Sequence, residues 1–154
     1  MLFRSAKARV IYSVSFQNAA GGAEDVSARV TAMRQNAVKV PAALNTAGIT
    51  FAFTSGGAQN PGDFIRNVAR TVREGGLSED AALKALTIGA ATLAGANDQL
   101  GTIEKGKIAN LVVTEGNLFD NARIRHVFVA GWPIDLDVPA TTGTGRGGRG
   151  GQFP

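Results

Sequence analysis

The residues best placed to do chemistry follow a short apolar run, Ile49–Phe53, and are Thr54, Ser55, Gly56 and Gly57. Ile, Phe and Thr favour an extended backbone, and a run apolar at nearly every position is typical of a strand buried on both faces of a helix-covered parallel sheet. In such proteins the site lies at the carboxyl ends of the strands. We therefore expect these four residues to mark the functional position.

The chemistry open to this loop is limited by its side chains. The Ser55 hydroxyl can bind a metal ion or orient a water molecule, but it is a poor base, and no His–Asp partners are present to activate it as a nucleophile. Backbone N–H groups of a small-residue loop before a helix can cradle a phosphate. The loop lacks the Gly-x-x-x-x-Gly-Lys and Gly-x-Gly-x-x-Gly spacings, which argues against a nucleotide site.

Two further residues are candidates by type. Asp63 is the next carboxylate after the loop, and because it follows Pro61 at the start of a predicted helix we expect it to cap that helix rather than act as a base. His126 is the one histidine of the sequence. A catalytic zinc site needs about three protein ligands, so we expect a structural role for His126 and no metal site built from this chain.

Composition excludes some functions. The chain has no cysteine, which rules out thiolate chemistry and disulfides. It has no apolar run of about 18 residues, so no membrane span is expected. The net charge of +4 comes from the ends, since without Arg4, Lys7, Arg9, Arg146 and Arg149 the middle carries 11 basic and 12 acidic residues. This distribution argues against a basic face for nucleic acid.

The tail from Thr141 to Gly151 contains only glycine, threonine and arginine. It cannot bury enough surface to offset the entropy of ordering, and we expect it to be unstructured. Its Gly145–Gly151 segment resembles a short RGG segment, and RNA contact there predicts salt-sensitive binding that is lost on deleting Thr141–Pro154. Two arginines without interleaved aromatic residues favour a flexible linker instead.

The remaining pattern predicts the order β-α-β-α-α followed by small β elements. Val10–Phe16 alternates as a strand. A helix opened by Glu24 and Asp25 has an apolar stripe, which we expect to break near Lys39 because Pro41 removes a helical donor. The stripe comprises Val26, Val30, Met33, Ala37, Val40, Leu44 and Ala47, with Met33 expected in the core.

Later segments carry clear helix and hairpin signals. Helices are predicted from Pro61 to Gly75, after a Ser78 cap, and over Ile88–Leu93 after a Thr87 cap. Leu100–Val113 is predicted as a hairpin, and Arg123–Val129 with Trp132–Ile134 as a second one. Two parallel strands leave sheet edges open, so the chain is interpreted as part of a larger domain.

Residues 85–113 carry a resemblance to a known family. Ala85–Gly95 followed by Leu100–Val113, with its Gly-Thr-Ile-Glu-Lys-Gly-Lys segment, resembles the carboxyl end of the amidohydrolase superfamily. Arg125–Ile134 is similar to the closing element of that superfamily, and the imidazolonepropionase-like branch is the nearest likeness. The likeness covers roughly Val10 to Leu136.

The resemblance implies an α/β fold: the last two β/α units of a metal-dependent (β/α)8 barrel, followed by part of a small β-sandwich. It also implies hydrolysis of C–N bonds by a metal-bound hydroxide, with an aspartate at the end of the eighth strand as base. That aspartate is expected in a Thr-Ser-Asp or Thr-Asp turn. In this sequence Gly56 takes its place.

We therefore expect four segments: a non-native or linker start (1–9), a partial barrel (10–98), the carboxyl half of a β-sandwich (99–138) and a disordered tail (139–154). Leu2–Ser5 matches the translation of a common sequencing adapter, so Met1–Ser5 is expected to be non-native and the true protein to begin further upstream. The function expected is that of a fragment of a hydrolase of non-peptide C–N bonds, inactive alone. The alternative is a degenerate barrel protein that binds or scaffolds.

The partners and cofactors follow from this interpretation. The chain would bind the missing amino-terminal portion of its own barrel, and the parent would bind a small-molecule substrate. No membrane partner is expected. No cofactor is expected in this chain, whereas zinc or another divalent metal is expected in an intact active parent.

Overall fold

A computed structural model describes residues 8–16, 28–56 and 61–136 of the chain. Strands and helices alternate in the first part, and strands alone make up the second. The elements are β1 (Arg9–Ser13), α1 (Ala28–Thr46), β2 (Thr50–Thr54), a 3₁₀ helix (Pro61–Asp63), α2 (Phe64–Arg73), α3 (Glu79–Leu86), α4 (Ile88–Ala94), β3 (Leu111–Glu115), β4 (Arg123–Val129) and β5 (Trp132–Ile134).

Strands β1 and β2 pair in parallel, in register from Arg9 with Thr50 to Ser13 with Thr54. The predicted alternation in β1 is confirmed, because Val10, Tyr12, Val14 and Phe16 are all less exposed than the residues between them. The strand ends at Ser13, three residues earlier than predicted. In β2 the consecutive residues Phe51, Ala52 and Phe53 are all buried, as expected for a strand covered on both faces.

Helix α1 runs without interruption through Pro41, so the predicted break near Lys39 is wrong. Pro41 has no N–H to offer the carbonyl of Ala37 four residues earlier, but the hydroxyl of Tyr12 donates a hydrogen bond to that carbonyl at 2.6 Å. The carbonyl is therefore satisfied from outside the helix, and the backbone continues.

The buried face of α1 also differs from the predicted stripe. Met33 is 64% exposed, so its expected place in the core is wrong, whereas Val38 and Pro41 are buried. The start predicted at Glu24 and Asp25 lies outside the described residues. A helical period identifies a candidate stripe, but the neighbouring elements decide which part of it is covered.

The main core lies between β2 and the helices α2 and α3. Its buried members are Val14, Phe51, Phe53, Val68, Ala69, Leu77, Ala81, Ala82, Ala85 and Phe119. Ser78 caps α3 as predicted, since its side chain accepts a hydrogen bond from the N–H of Ala81. Thr87 does not cap α4, because its hydroxyl donates to the carbonyl of Leu83 in the preceding helix.

Strands β3, β4 and β5 form a three-stranded antiparallel sheet. The hairpin of β4 and β5 is confirmed, with Ala130 and Gly131 both at positive φ, as a two-residue type I′ turn requires. The hairpin predicted over Leu100–Val113 is wrong, because β3 pairs with β4 and Gly101–Ile103 forms no strand. No helix in the described part of the chain is long and apolar enough to cross a membrane.

Candidate functional site

The candidate site lies where β1 and β2 end side by side. Because the two strands are parallel and in register, their carboxyl ends meet at one edge, with Ser13 opposite Thr54. The pairing continues one step further, since the N–H of Val14 donates to the carbonyl of Thr54 at 3.2 Å. The loop predicted as the functional position therefore faces a second segment, 13–16, at the same edge.

Hydroxyl groups hold this edge together. The N–H of Gly56 donates to Oγ1 of Thr54 at 3.1 Å, and the Ser13 hydroxyl donates to the carbonyl of Gly56 at 2.7 Å. The hydroxyls of Ser13 and Ser15 lie 3.0 Å apart. Thr54 is the last residue of β2, so Ser55 and Gly56 directly follow the end of the strand, whereas Gly57 lies outside the described residues.

Ser13 is the residue at this edge that sequence reasoning did not single out. It lies 43 positions before Gly56, and no local pattern links the two. The available signal was the alternation of β1, which turned Ser13 and Ser15 away from the apolar side. Combined with a parallel pairing to β2, that alternation places Ser13 at the carboxyl edge of the pair.

Gly56 leaves space for a side chain at this edge. A Cβ atom built there would lie 3.3 Å from Oγ1 and 3.9 Å from Cγ2 of Thr54, and the φ of Gly56 is not in the left-handed region. A larger residue could therefore occupy the position after a shift of a few tenths of an ångström in Thr54. Nothing in the backbone requires glycine here.

The other two candidates lie elsewhere. The Asp63 carboxylate makes no capping hydrogen bond to α2, so the expected cap is wrong; it pairs with the guanidinium of Arg66 at 2.8 Å instead. The His126 ring is exposed on β4, 6.3 Å from the ring of Phe128, and belongs to the second sheet. Neither is within the hydrogen-bonded group formed by Ser13, Ser15, Thr54 and Gly56.

The described polar groups at this edge carry no charge. They are hydroxyls, backbone amides and carbonyls, and none of them ionises near neutral pH. The nearest ionisable residue along β1 is Tyr12, where burial raises the pKa of the phenol above its ordinary 10.0. The edge can therefore donate and accept hydrogen bonds, but it supplies no general base.

Comparison with known proteins identifies the family. The model of the amidohydrolase family matches residues 5–135. The chain belongs to the amidohydrolase family. No curated protein matches the sequence.

Solved structures with a similar fold include the following three. An amidohydrolase from Thermotoga maritima is 31% identical, with a TM-score of 0.59, over 64% of this chain and 26% of that one. A prolidase complexed with N-methylphosphonate-L-proline is 24% identical, with a TM-score of 0.62, over 86% and 36%. An Xaa-Pro dipeptidase with bound methionine in its active site is 24% identical, with a TM-score of 0.58, over 70% and 27%.

The chain therefore spans about a quarter to a third of the length of these structures. Members of this family generally use a divalent metal such as zinc. Zinc prefers imidazole, thiolate and carboxylate ligands, and the described edge offers hydroxyls and carbonyl oxygens. In residues 8–16, 28–56 and 61–136, no three His, Cys, Asp or Glu residues lie close enough to hold a metal ion. The residues present do not fit a zinc site.

Proposed function

We propose that this chain is the carboxyl-terminal part of a metal-dependent amidohydrolase that cleaves non-peptide C–N bonds. It would supply the last two β/α units of a (β/α)8 barrel and part of a β-sandwich. One observation carries the proposal: two parallel strands end together at a polar edge, in a chain that belongs to this family. In α/β barrels this end of the strands is where the chemistry occurs.

The edges of the β1–β2 pair support incorporation into a larger sheet. Parallel strands are found almost always in sheets with more strands and with both faces covered. Here β2 is covered on both faces, yet among the described residues β1 and β2 pair only with each other. The missing neighbours would be the preceding strands of the parent barrel, which would also bring the metal ligands.

Within such a parent, the turn after β2 would not supply the catalytic base. The expected aspartate would follow Thr54 directly, or after one further residue, and those positions hold Ser55 and Gly56. A hydroxyl and a glycine cannot take a proton from a metal-bound water at neutral pH. The chain alone is therefore proposed to be inactive, and an active parent would need its base from elsewhere.

A second candidate function is binding or scaffolding by a degenerate barrel. It is favoured by the closure of the turn on itself, since Ser13, Thr54 and Gly56 satisfy one another by hydrogen bonds. Such an edge carries no charged group and is closed by hydrogen bonds, which suits recognition of a neutral polar ligand better than hydrolysis. It needs no metal.

The gene sequence upstream of residue 10 distinguishes these functions. A hydrolase requires a His-x-His pair after an early strand and two later histidines, and the binding protein does not. The extended protein should then be expressed with zinc and assayed against cyclic amides. Dipeptides ending in proline should be assayed separately, because two similar structures are named for that activity. Cleavage of the dipeptides alone would support a hydrolase but contradict the non-peptide substrate class. Hydrolysis that disappears on removing the metal supports the hydrolase.

Two variants sharpen this assay. Ser55→Asp and Gly56→Asp each place a carboxylate at one of the two possible positions, and Thr46→Asp adds the same charge on an exposed part of α1. A hydrolase scaffold should gain activity with one of the first two only. If the upstream sequence lacks histidine pairs and neither variant gains activity, the hydrolase proposal is wrong and the binding function stands.

A further inference from the structure

Pro41 creates a gap in the hydrogen bonding of α1. In a regular helix the N–H of residue 41 would donate to the carbonyl of Ala37, and proline has no N–H. Pro41 is also among the most deeply buried residues of the chain, with less than 2% of its surface exposed. An unpaired carbonyl next to it would cost free energy comparable to that of a lost hydrogen bond.

The hydroxyl of Tyr12 fills this gap. It donates to the Ala37 carbonyl at 2.6 Å, across 25 residues of sequence. A phenol keeps its proton throughout the neutral range, and burial raises the pKa of Tyr12 further above its ordinary 10.0. The next carbonyl, that of Val38, is approached closely by Gly75 at the end of α2. Two neighbouring elements therefore meet α1 at the turn that Pro41 opens.

Burial changes at the same point of the helix. The described side chains from Thr31 to Asn36 are all exposed, whereas Val38 and Pro41 are buried. Helices in proteins owe most of their stability to the packing of one face, and segments without such packing open locally at low cost. The described side chains of α1 before Ala37, which are those of residues 31–33, 35 and 36, therefore have little packing.

We propose that the Tyr12–Ala37 hydrogen bond is a latch that holds the first part of α1, residues 28–37, onto β1. When the latch is broken, this part opens as a separate unit while Val38–Thr46 remains packed. The latch acts next to the candidate site, since Ser13, the following residue of β1, donates to the carbonyl of Gly56.

Native-state amide exchange of the full chain tests the latch. Tyr12→Phe removes the hydroxyl and keeps the ring, and it should speed exchange of the amides of residues 32–40 about fivefold, the effect of one hydrogen bond. The amides of residues 43–46 should change by less than about twofold. Ser13→Ala removes a hydroxyl from the same strand and should leave exchange in α1 unchanged. Unchanged exchange in Tyr12→Phe, or equal acceleration along the whole helix, would overturn the proposal.

A double-mutant cycle tests the role of Pro41. Pro41→Ala restores an N–H that can bond the Ala37 carbonyl, so the Tyr12 hydroxyl becomes redundant. In that background Tyr12→Phe should speed exchange by less than about twofold. An equal effect in both backgrounds would show that the hydroxyl does not compensate for proline. If Pro41→Ala does not fold, the comparison of residues 32–40 with residues 43–46 in Tyr12→Phe still tests the latch.

Discussion

Gly75 lies where the end of α2 meets α1. A Cβ atom at this position would overlap the carbonyl oxygen of Val38 and lie 2.5 Å from that of Thr71. Both obstacles are backbone atoms, which cannot rotate away as a side chain can. The glycine is therefore required by space, and its neighbour Gly76 offers a contrast, because Gly76 has open space but a φ of +75°.

We predict that Gly75→Ala destabilises the chain by about 2–3 kcal/mol, since α2 and α1 must separate to admit the methyl group. Gly76→Ala should cost about 1 kcal/mol, the strain of a left-handed backbone on an L residue. Urea titrations followed by far-ultraviolet circular dichroism measure both. An equal loss in the two variants would show that α1 and α2 do not pack as closely as described.

Sequence reasoning located part of this residue-level detail. Thr54, Ser55 and Gly56 could be placed at the end of a strand, because an apolar run followed by small residues is a local pattern. Met33 was misplaced, because periodicity is local and burial depends on the neighbours that cover the helix. The bonds from Tyr12 to Ala37 and from Ser13 to Gly56 connect distant residues, so no spacing rule could indicate them.

Among the elements, α3 and α4 are adjacent helices with different starts. Ser78 has an extended backbone, and its hydroxyl accepts from the N–H of Ala81, as an N-cap residue does. Thr87 precedes α4, but its hydroxyl donates back to the carbonyl of Leu83 at 2.7 Å. The Ser78 hydroxyl satisfies an N–H group at the start of α3. The Thr87 hydroxyl bonds to a carbonyl at the end of α3 and satisfies no N–H group of α4.

We predict that Ser78→Ala costs about 1 kcal/mol, because an N–H at the start of α3 loses its partner. Thr87→Ala should change stability by less than about 0.5 kcal/mol, because the residue is exposed and its N–H already bonds to the carbonyls of Leu83 and Lys84. Urea titrations of the two variants measure both losses of stability. A larger effect at Thr87 would mean that its hydroxyl holds the α3–α4 junction.

The element that sequence reasoning missed is the connection from α4 to β3. Gly-rich turns around Ile103 predicted a hairpin, but Gly101 packs against Ala91 and Ile88 of α4, where a Cβ atom would lie 2.8 Å from atoms of each. The Lys107 ammonium donates to the carbonyl of Asn97 at 2.9 Å. The segment is therefore held against α4, and β3 is left to pair with β4. Turn residues predict a change of direction but not the strand that follows it.

For the whole molecule, one connection between the two parts runs through the loop between β3 and β4. Phe119 of this loop is buried in the core of the first part, and its carbonyl accepts from the Arg73 guanidinium at 3.3 Å. The Asn117 amide donates to the Glu79 carboxylate at 2.8 Å. The second sheet itself remains exposed, with Val112, Val129 and Trp132 each more than half accessible. Leu118 packs beside Phe119, and Arg73 also pairs with the Asp120 carboxylate at 4.0 Å. Two apolar side chains and three polar contacts form the connection that this loop makes.

This construction predicts how the isolated chain unfolds. Two parallel strands and a separate three-stranded sheet do not share one continuous core, and cooperativity requires such sharing. We expect the full chain to lose helical circular dichroism gradually on heating, with a calorimetric enthalpy different from the van't Hoff enthalpy. Phe119→Ala should broaden the loss further, whereas Ile103→Ala, at an 87% exposed position, should not.

Zinc binding is a second, independent test, because a ligand that binds only the folded state raises the stability of that state. The described hydroxyl edge does not fit zinc, so added zinc should neither remain with the purified chain in stoichiometric amount nor shift the melting curve. A chain that retained one metal ion and melted in a single sharp transition would contain a complete site and a complete core. That result would contradict the proposal that this polar edge is completed by the preceding part of a parent barrel.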